Sequence, residues 1–224
     1  MTLAIAVCIP DGAILMADGL RKNILTGEVV SSKINKISVL SKSVGAIRLG
    51  VEKGTDHALL MLNNTILDSA QSCQEIVDEI DRATRLGWEH LKNISEGLID
   101  PDHECNKVAL VFGGYVSTTN QGGFIGSALY HSKGHHTPTP TTTISFSVTG
   151  GEKYDAKSRF DELVSTELGK SHTSEGGVKN DVVIAILNAG RMLISEISKK
   201  DPFVGGIPRY TIIRRGFRAL EGEL

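Results

Sequence analysis

Thr2 directly follows Met1, and an apolar segment over residues 3–9 comes next. If Met1 is removed, Thr2 carries a free α-amino group and a side-chain hydroxyl on one residue. An α-amino group has an ordinary pKa of about 7.7–8.0, so it can accept a proton from a hydroxyl near neutral pH, whereas a lysine amine cannot. One residue could then supply both nucleophile and base. The alternative also stays open, because many chains begin with Met-Thr and make no use of it.

Two charged residues could complete a catalytic cluster with Thr2. The turn at Pro10-Asp11-Gly12 predicts a hairpin of residues 3–9 and 13–18, which places Asp18 near Thr2. We expect Lys33 to enter the next strand at the same edge. As an ammonium, Lys33 would lower the pKa of the Thr2 hydroxyl and hold the terminal amine neutral, and Asp18 would keep Lys33 charged and oriented.

Composition sets the broad class of the protein. The chain has 224 residues, of which 40% are hydrophobic and 22% charged, as is typical of a soluble globular protein. A net charge of −2 argues against a nucleic-acid partner. The chain shows no apolar run of the ~18 residues that a membrane span needs, and no basic segment that would mark a signal peptide. We therefore expect a cytoplasmic protein that is not bound to membranes.

Cysteine and histidine usage predicts that the protein has no metal site. The cysteines Cys8, Cys73 and Cys105 are widely spaced and odd in number, which favours a reducing compartment over a disulfide framework. The histidines of the segment 131–136 have no carboxylate or thiolate partner at ligand spacing, and we interpret them as part of a loop. We expect the chemistry to need no cofactor.

The order of elements predicts an α+β fold. Two consecutive helices stand between groups of hairpin-forming strands, which is not the rhythm of a parallel sheet. We expect one domain over residues 1–224, whose C-terminal part, 201–224, is less regular. The predicted strands are 3–9, 13–18, 29–30, 34–40, 44–49, 107–116, 123–130, 143–149, 181–187, 191–197 and one near 208–214. The predicted helices are 55–70, 72–97, which begins with a Ser72/Glu75 capping box, and 152–168.

Residues 2–37 resemble the N-terminus of a proteasome β-type subunit, a family that includes the bacterial heat-shock peptidase. The features that carry the resemblance are Thr2, the apolar strand, Asp11-Gly12, Ala17-Asp18-Gly19, and Lys33-Ile34 followed by Ile37. The resemblance implies a four-layer αββα sandwich of two antiparallel sheets flanked by helices. It also implies a threonine-type endopeptidase that cleaves peptides or polypeptides within a ring-shaped homo-oligomer. Whether an ATPase unfoldase delivers the substrate stays open.

The resemblance extends to supporting residues. Gly50 matches the glycine whose N–H stabilises the oxyanion, and Arg48 matches the base of the specificity pocket, which would favour acidic P1 residues. Thr149 stands beside the position of a serine that bonds the terminal amine, a position that Gly150 occupies here. The family then has an Asp and, three residues later, a Ser before Gly.

In this chain we assign that second motif to Ser171, at the Asp position, and Ser174. The interval between the two motifs leaves room for one long helix where the family usually has two. These departures concern the residues that support the nucleophile.

Two further functions stay open. One is a non-peptidase amidase with the same N-terminal nucleophile, and the other is a structural ring subunit that retains Met1 and catalyses nothing. The proteasome α-type subunits, which play that second role, begin with an additional helix that this sequence does not predict.

Overall fold

The computed structural model describes residues 2–23, 26–94, 106–136, 139–142, 145–150, 152–171 and 178–224, without the side chains of 170, 171 and 178–181. The described helices are α1 (Glu52–Met61), α2 (Asn64–Ser69), α3 (Cys73–Ile94), α4 (Ala156–Ser171) and α5 (Val178–Ser198), with a 3-10 turn at Glu152–Tyr154. The described strands are β1 (Ala4–Ile9), β2 (Gly12–Ala17), β3 (Arg21–Lys22), β4 (Val29–Ser31), β5 (Ile37–Val39), β6 (Val44–Gly50), β7 (Lys107–Tyr115), β8 (Gly123–His131), β9 (Gly134–His136), β10 (Ser145–Thr149), β11 (Arg209–Arg214) and β12 (Leu220–Glu223).

The strands form antiparallel sheets. The first sheet has the order β10-β1-β2-β11-β12, the second has the order β5-β6-β7-β8-β9, and β3 pairs with β4. The predicted hairpin of β1 and β2 is confirmed, with Ile9 opposite Gly12 and Ala4 opposite Ala17. The α+β class is therefore confirmed.

The two faces of β1 belong to different hydrophobic cores. Leu3, Ile5 and Val7 pack in a cluster with residues of α4 and α5. Ala4, Ala6 and Cys8 belong instead to a cluster that includes residues of the second sheet. Because side chains alternate along a strand, a residue at position 2 shares the face that is directed toward the second sheet.

Helices α1 and α3 pack closely against each other and cover the second sheet. A Cβ at Gly87 of α3 would overlap the carbonyl oxygen of Gly54 in α1, so the two helix backbones approach closely at these glycines. The predicted start of the long helix is confirmed, because Ser72 Oγ accepts a hydrogen bond from Glu75 N at 3.3 Å and donates one to Glu75 Oε1 at 3.2 Å.

The predicted second hairpin over residues 181–187 and 191–197 is wrong, because these residues lie within helix α5. The β-branched run that predicts a strand winds around the helix, so that Val182 and Ile184 are exposed. Gly190, which we interpreted as a turn residue, brings α5 close to the first sheet, since a Cβ there would overlap Met16 Sδ. The buried side chains follow a helical period: Ala185, Ile186, Ala189, Leu193, Ile194 and Ile197.

Three related predictions also need correction or extension. The interval between Gly150 and Ser171 contains one long helix, α4, as expected, and the second helix, α5, follows it in place of the predicted hairpin. Strand β9 lies in the segment interpreted as a loop. The predicted strand near 208–214 is confirmed as β11, and β12 pairs with it, so the C-terminal part is more regular than expected. None of the described helices is long and apolar enough to cross a membrane.

A pair of stacked histidines joins α1 and α3. The rings of His57 and His90 lie 3.9 Å apart at an angle of 8°. Burial, and then the charge of His90, lower the pKa of His57 below its ordinary value. In the native state His57 therefore binds a proton less readily than in the unfolded chain, where its pKa is about 6.5.

We expect the free energy of unfolding to fall as the pH decreases through about 6.5 and to level off below the folded pKa. The His57→Gln variant should flatten this dependence, and His136→Gln, at the edge of the second sheet, should not. Melting temperatures measured between about pH 8 and about pH 5 test this, and parallel curves for the wild type and His57→Gln would contradict it.

Candidate functional site

Lys36 bridges the hydroxyl of Thr2 and the carboxylate of Asp18. Lys36 Nζ donates to Thr2 Oγ1 at 3.0 Å and to Asp18 Oδ1 at 2.9 Å. The side chains of Lys36 and Asp18 are 9% and 0% exposed, respectively, and Thr2 is only partly buried. The hydroxyl of a partly exposed residue is thus in contact with a cation that is itself almost excluded from water.

Asp18 is held by four donors. Its Oδ1 accepts from Lys36 Nζ and from Leu3 N, each at 2.9 Å. Its Oδ2 accepts from Leu20 N and Gly205 N, each at 3.3 Å. The carboxylate therefore ties the end of β2 to the start of β1 and to the chain that follows α5. As expected from the hairpin, Asp18 lies beside the residues at the chain's beginning.

Lys36 is positioned by the turn that leads into β5. Asn35 Oδ1 accepts a hydrogen bond from Ile37 N at 2.9 Å, which fixes the backbone around Lys36. Lys36 O accepts from Arg48 N at 2.9 Å, which anchors this turn to β6. Ile37 belongs to the hydrophobic cluster between the sheets, so the lysine before it lies at the edge of that cluster.

Burial opposes charge on both members of the ion pair. It raises the pKa of Asp18, and the attraction of Lys36 and the N–H groups of Leu3 and Gly205 oppose that rise. Burial likewise lowers the pKa of Lys36, against the attraction of Asp18. Each charge is thus maintained by its partner, so the two groups ionise as a coupled pair. The arrangement can deliver one positive charge to Thr2 Oγ1.

The expectation that Lys33 completes the cluster is wrong, because Lys36 makes these contacts. Lys33 is exposed, and its backbone N–H donates to Ser31 Oγ at 3.2 Å in the loop between β4 and β5. Two residues separate the two lysines in the sequence, and each lysine directly precedes an isoleucine. Only Lys36 is adjacent to the first buried residue of a strand, and this is the signal that distinguishes it.

Gly50 and Arg48 lie at the end of β6, near the turn that holds Lys36. Gly50 has a φ of +94°, and a Cβ there would overlap the carbonyl oxygen of Lys107. Arg48 donates to Asp56 Oδ1 at 2.7 Å and to Asn35 O at 2.6 Å. The guanidinium charge is therefore already compensated by a carboxylate. The oxyanion role of Gly50 and the pocket role of Arg48 stay predictions.

Strand β10 brings Thr149 and Gly150 to the start of β1. Thr149 lies opposite Ala4, so it shares the face of the sheet that is directed toward the second sheet. Gly150 is buried with a φ of +93°, and a Cβ there would overlap the carbonyl oxygen of Thr2. A serine at this position would not fit. Glycine is required because the backbone segments at Gly150 and Thr2 approach each other closely.

The supporting roles of Ser171 and Ser174 stay predictions. Ser171 is the last residue of α4, and Ser174 lies outside the described residues. The chain that contacts Asp18 is instead the segment after α5, through Gly205. That segment has the spacing of the expected motif, an Asp followed three residues later by the residue before a Gly. The three positions are Asp201, Val204 and Gly205, so valine stands at the serine position.

Asp201 is the residue that sequence reasoning missed. Its side chain is fully buried, Oδ1 accepts from Phe203 N at 2.9 Å, and Oδ2 lies 2.9 Å from Lys153 Nζ. The sequence signal that identifies it is the spacing of an acidic residue before Gly205-Gly206. Within the described part of the chain, no group of three or more His, Cys, Asp or Glu side chains could hold a metal ion.

Comparison with known proteins adds no assignment to this geometry. The chain matches no family model, and no curated protein matches it significantly.

Proposed function

We propose that the protein is an N-terminal threonine hydrolase that cleaves peptide bonds, with Thr2 as nucleophile and its own α-amino group as base. One observation carries the proposal: Lys36 Nζ lies within hydrogen-bond distance of both Thr2 Oγ1 and Asp18 Oδ1. A buried lysine that donates to the hydroxyl of a partly exposed threonine can activate that hydroxyl as a nucleophile. The resemblance of residues 2–37 to proteasome β-type subunits agrees with this use.

The proposed reaction begins once Met1 has been removed. Oγ1 of Thr2 attacks the scissile carbonyl carbon while the α-amino group takes the hydroxyl proton. The Lys36 ammonium stabilises the negative charge that develops on Oγ1, and Asp18 holds Lys36 in place. The C–N bond then breaks, the leaving amine takes the proton, and water hydrolyses the ester that remains on Thr2.

The four-layer αββα architecture and the ring-shaped homo-oligomer belong to this proposal. Three hydrophobic clusters support the layers. One joins the second sheet to α1–α3, one contains residues of both sheets, and one joins the first sheet to α4 and α5. An enclosed ring would restrict access to unfolded chains and short peptides. Sedimentation velocity of the purified protein tests the ring, and a monomer at all concentrations would contradict it.

Turnover of peptides distinguishes the proposal from its alternatives. We expect the purified protein to hydrolyse a fluorogenic peptide amide, Thr2→Ser to retain activity, and Thr2→Ala to have none. Hydrolysis of small amides without peptide turnover would favour the non-peptidase amidase. A protein that retains Met1 and hydrolyses neither class would favour the structural subunit.

Substrate preference at P1 should depend on Asp56. Because Asp56 compensates the charge of Arg48, the wild type should show little preference for acidic P1 residues. We expect Asp56→Asn to raise kcat/KM for a Glu-P1 peptide relative to a Leu-P1 peptide by about tenfold, through a charge-assisted contact.

The matched control for this change is Glu52→Gln, which removes the other acidic residue of α1 that is paired with an arginine, Arg21. It should leave the P1 ratio unchanged. An equal effect of the two variants would show that Arg48 has no specific role, and only the general electrostatic field matters.

A further inference from the structure

We infer that Glu152 is a positioning residue for the α-amino group of Thr2, a role that rests on the proposed function. The geometry begins with β10, which runs antiparallel to β1 with Thr149 opposite Ala4. The chain beyond Thr149 therefore passes the start of β1. The backbone of Gly150 packs directly on Thr2, because a Cβ at Gly150 would overlap the Thr2 carbonyl oxygen.

The carboxylate of Glu152 turns back toward this contact. Glu152 Oε1 accepts a hydrogen bond from Gly150 N at 2.9 Å. Since β10 continues past the start of β1, this bond holds the carboxylate beside the backbone of Gly150, which itself packs on the Thr2 carbonyl. Among the described residues, the second oxygen of Glu152 has no hydrogen-bond partner, so it is available to an amine.

The 3-10 turn that contains Glu152 also contacts the segment that follows α5. Lys153 Nζ lies 2.9 Å from Asp201 Oδ2, and the Tyr154 hydroxyl donates to Lys200 O at 3.0 Å. The same segment after α5 donates Gly205 N to Asp18. The turn is therefore tied to the chain that supports the Lys36–Asp18 pair, which fixes the carboxylate relative to Thr2.

In the described part of the chain, the other charged groups around the start of β1 already have partners. Asp18 accepts four hydrogen bonds, and its ion-pair partner Lys36 also bonds Thr2 Oγ1. Asp201 faces Lys153 and the N–H of Phe203. Glycine at 150 and valine at 204 offer no hydroxyl at the two positions where the resemblance implies serines. Among the residues that the structure describes in this region, Glu152 is thus the carboxylate that we assign to the amine.

A carboxylate beside an amine has two effects. It accepts a hydrogen bond that orients the nitrogen lone pair, and it favours the ammonium form, which raises the pKa of the amine. Lys36 and Lys153 act in the opposite direction, because a nearby positive charge disfavours a second one. Removal of the charge of Glu152 should therefore let the amine act as a base at lower pH.

Two measurements on Glu152→Gln test the inference. The first is the pH dependence of acetylation of the Thr2 α-amine by acetic anhydride, which is measured by mass spectrometry of the N-terminal peptide. The second is the acid limb of kcat/KM for a fluorogenic peptide amide. We expect both to move to lower pH by about half a pH unit or more. Asp161→Asn, the same change of charge at an exposed position in α4, should move neither.

The outcomes separate the inference from the proposed function. If the acetylation curve of Glu152→Gln coincides with that of the wild type while peptides are still hydrolysed, the inference is wrong and the proposed function stands. If the curve shifts but no variant hydrolyses peptides, the positioning is correct and the peptidase proposal is wrong. Retention of Met1 in every variant overturns both.

Discussion

Replacement of Lys36 by methionine is expected to lower kcat/KM for peptide hydrolysis by at least about 10³-fold, a loss typical of removing one member of a catalytic unit. The reason is that Lys36 is the group that delivers positive charge to Thr2 Oγ1, at 3.0 Å. The matched control is Lys33→Met, which removes an exposed lysine from the same loop. It should retain activity within about twofold, since a substitution at an exposed position away from the site changes stability by only about 0.5 kcal/mol or less.

The Lys36 variant also needs a test of folding, because it leaves Asp18 buried without its cation. Circular dichroism and gel filtration establish whether Lys36→Met keeps the native fold. In folded protein, the rate of covalent labelling of Thr2 by a threonine-directed electrophile measures nucleophile activation separately from substrate binding. Loss of activity in Lys33→Met with retention in Lys36→Met would contradict the assignment of the lysine.

Replacement of Asp18 by alanine is expected to lower the free energy of unfolding by about 3–5 kcal/mol, the usual cost of removing one partner of a buried ion pair. The change leaves the Lys36 ammonium buried without a counter-charge, and it leaves Leu3 N and Gly205 N without their acceptor. The start of β1, which carries Thr2, then loses its attachment to β2, so activity should be lost as well.

The control for Asp18 is Asp11, at the opposite end of β2. Asp11 pairs with Arg214 at 2.7 Å, and both side chains are about one-third exposed. Asp11→Ala should therefore cost no more than about 1 kcal/mol. Urea denaturation measures both changes as shifts of the midpoint at constant slope. Equal shifts for the two variants would contradict the central structural role of Asp18.

The position of Asp18 could be predicted from the sequence because it depends on local structure. The Pro10-Asp11-Gly12 turn fixes the register of β1 and β2, and in a hairpin the register determines which residues meet at the open end. The capping box at Ser72 is local in the same sense. Such features involve residues that are close together in the chain.

The identity of the lysine could not be derived in this way. Lys33 and Lys36 lie in one short segment, and their positions relative to Thr2 depend on how the second sheet packs on the first. The choice of Lys33 rests on its expected entry into the next strand, whereas the contact between Lys36 and Thr2 requires the bond at Asn35 and the anchor at Arg48 N. The anchor and the contact with Thr2 join separate elements, which the position of a lysine in the sequence does not specify.

Helix α5 was mispredicted for a related reason. Its Val- and Ile-rich sequence favours a strand by local propensity, but the helix buries one continuous apolar face against the first sheet. Tertiary packing overrides the propensity. That error also hid Asp201, because an acidic residue is identified as part of the site only when the end of the helix before it is known.

The intact mass of the purified protein, before and after treatment with a threonine-directed electrophile, tests the central claim most directly. We expect a mass lower by one methionine, and one covalent adduct that maps to Thr2 and is absent from Thr2→Ala. A full-length mass with Met1 still attached and no adduct would contradict it.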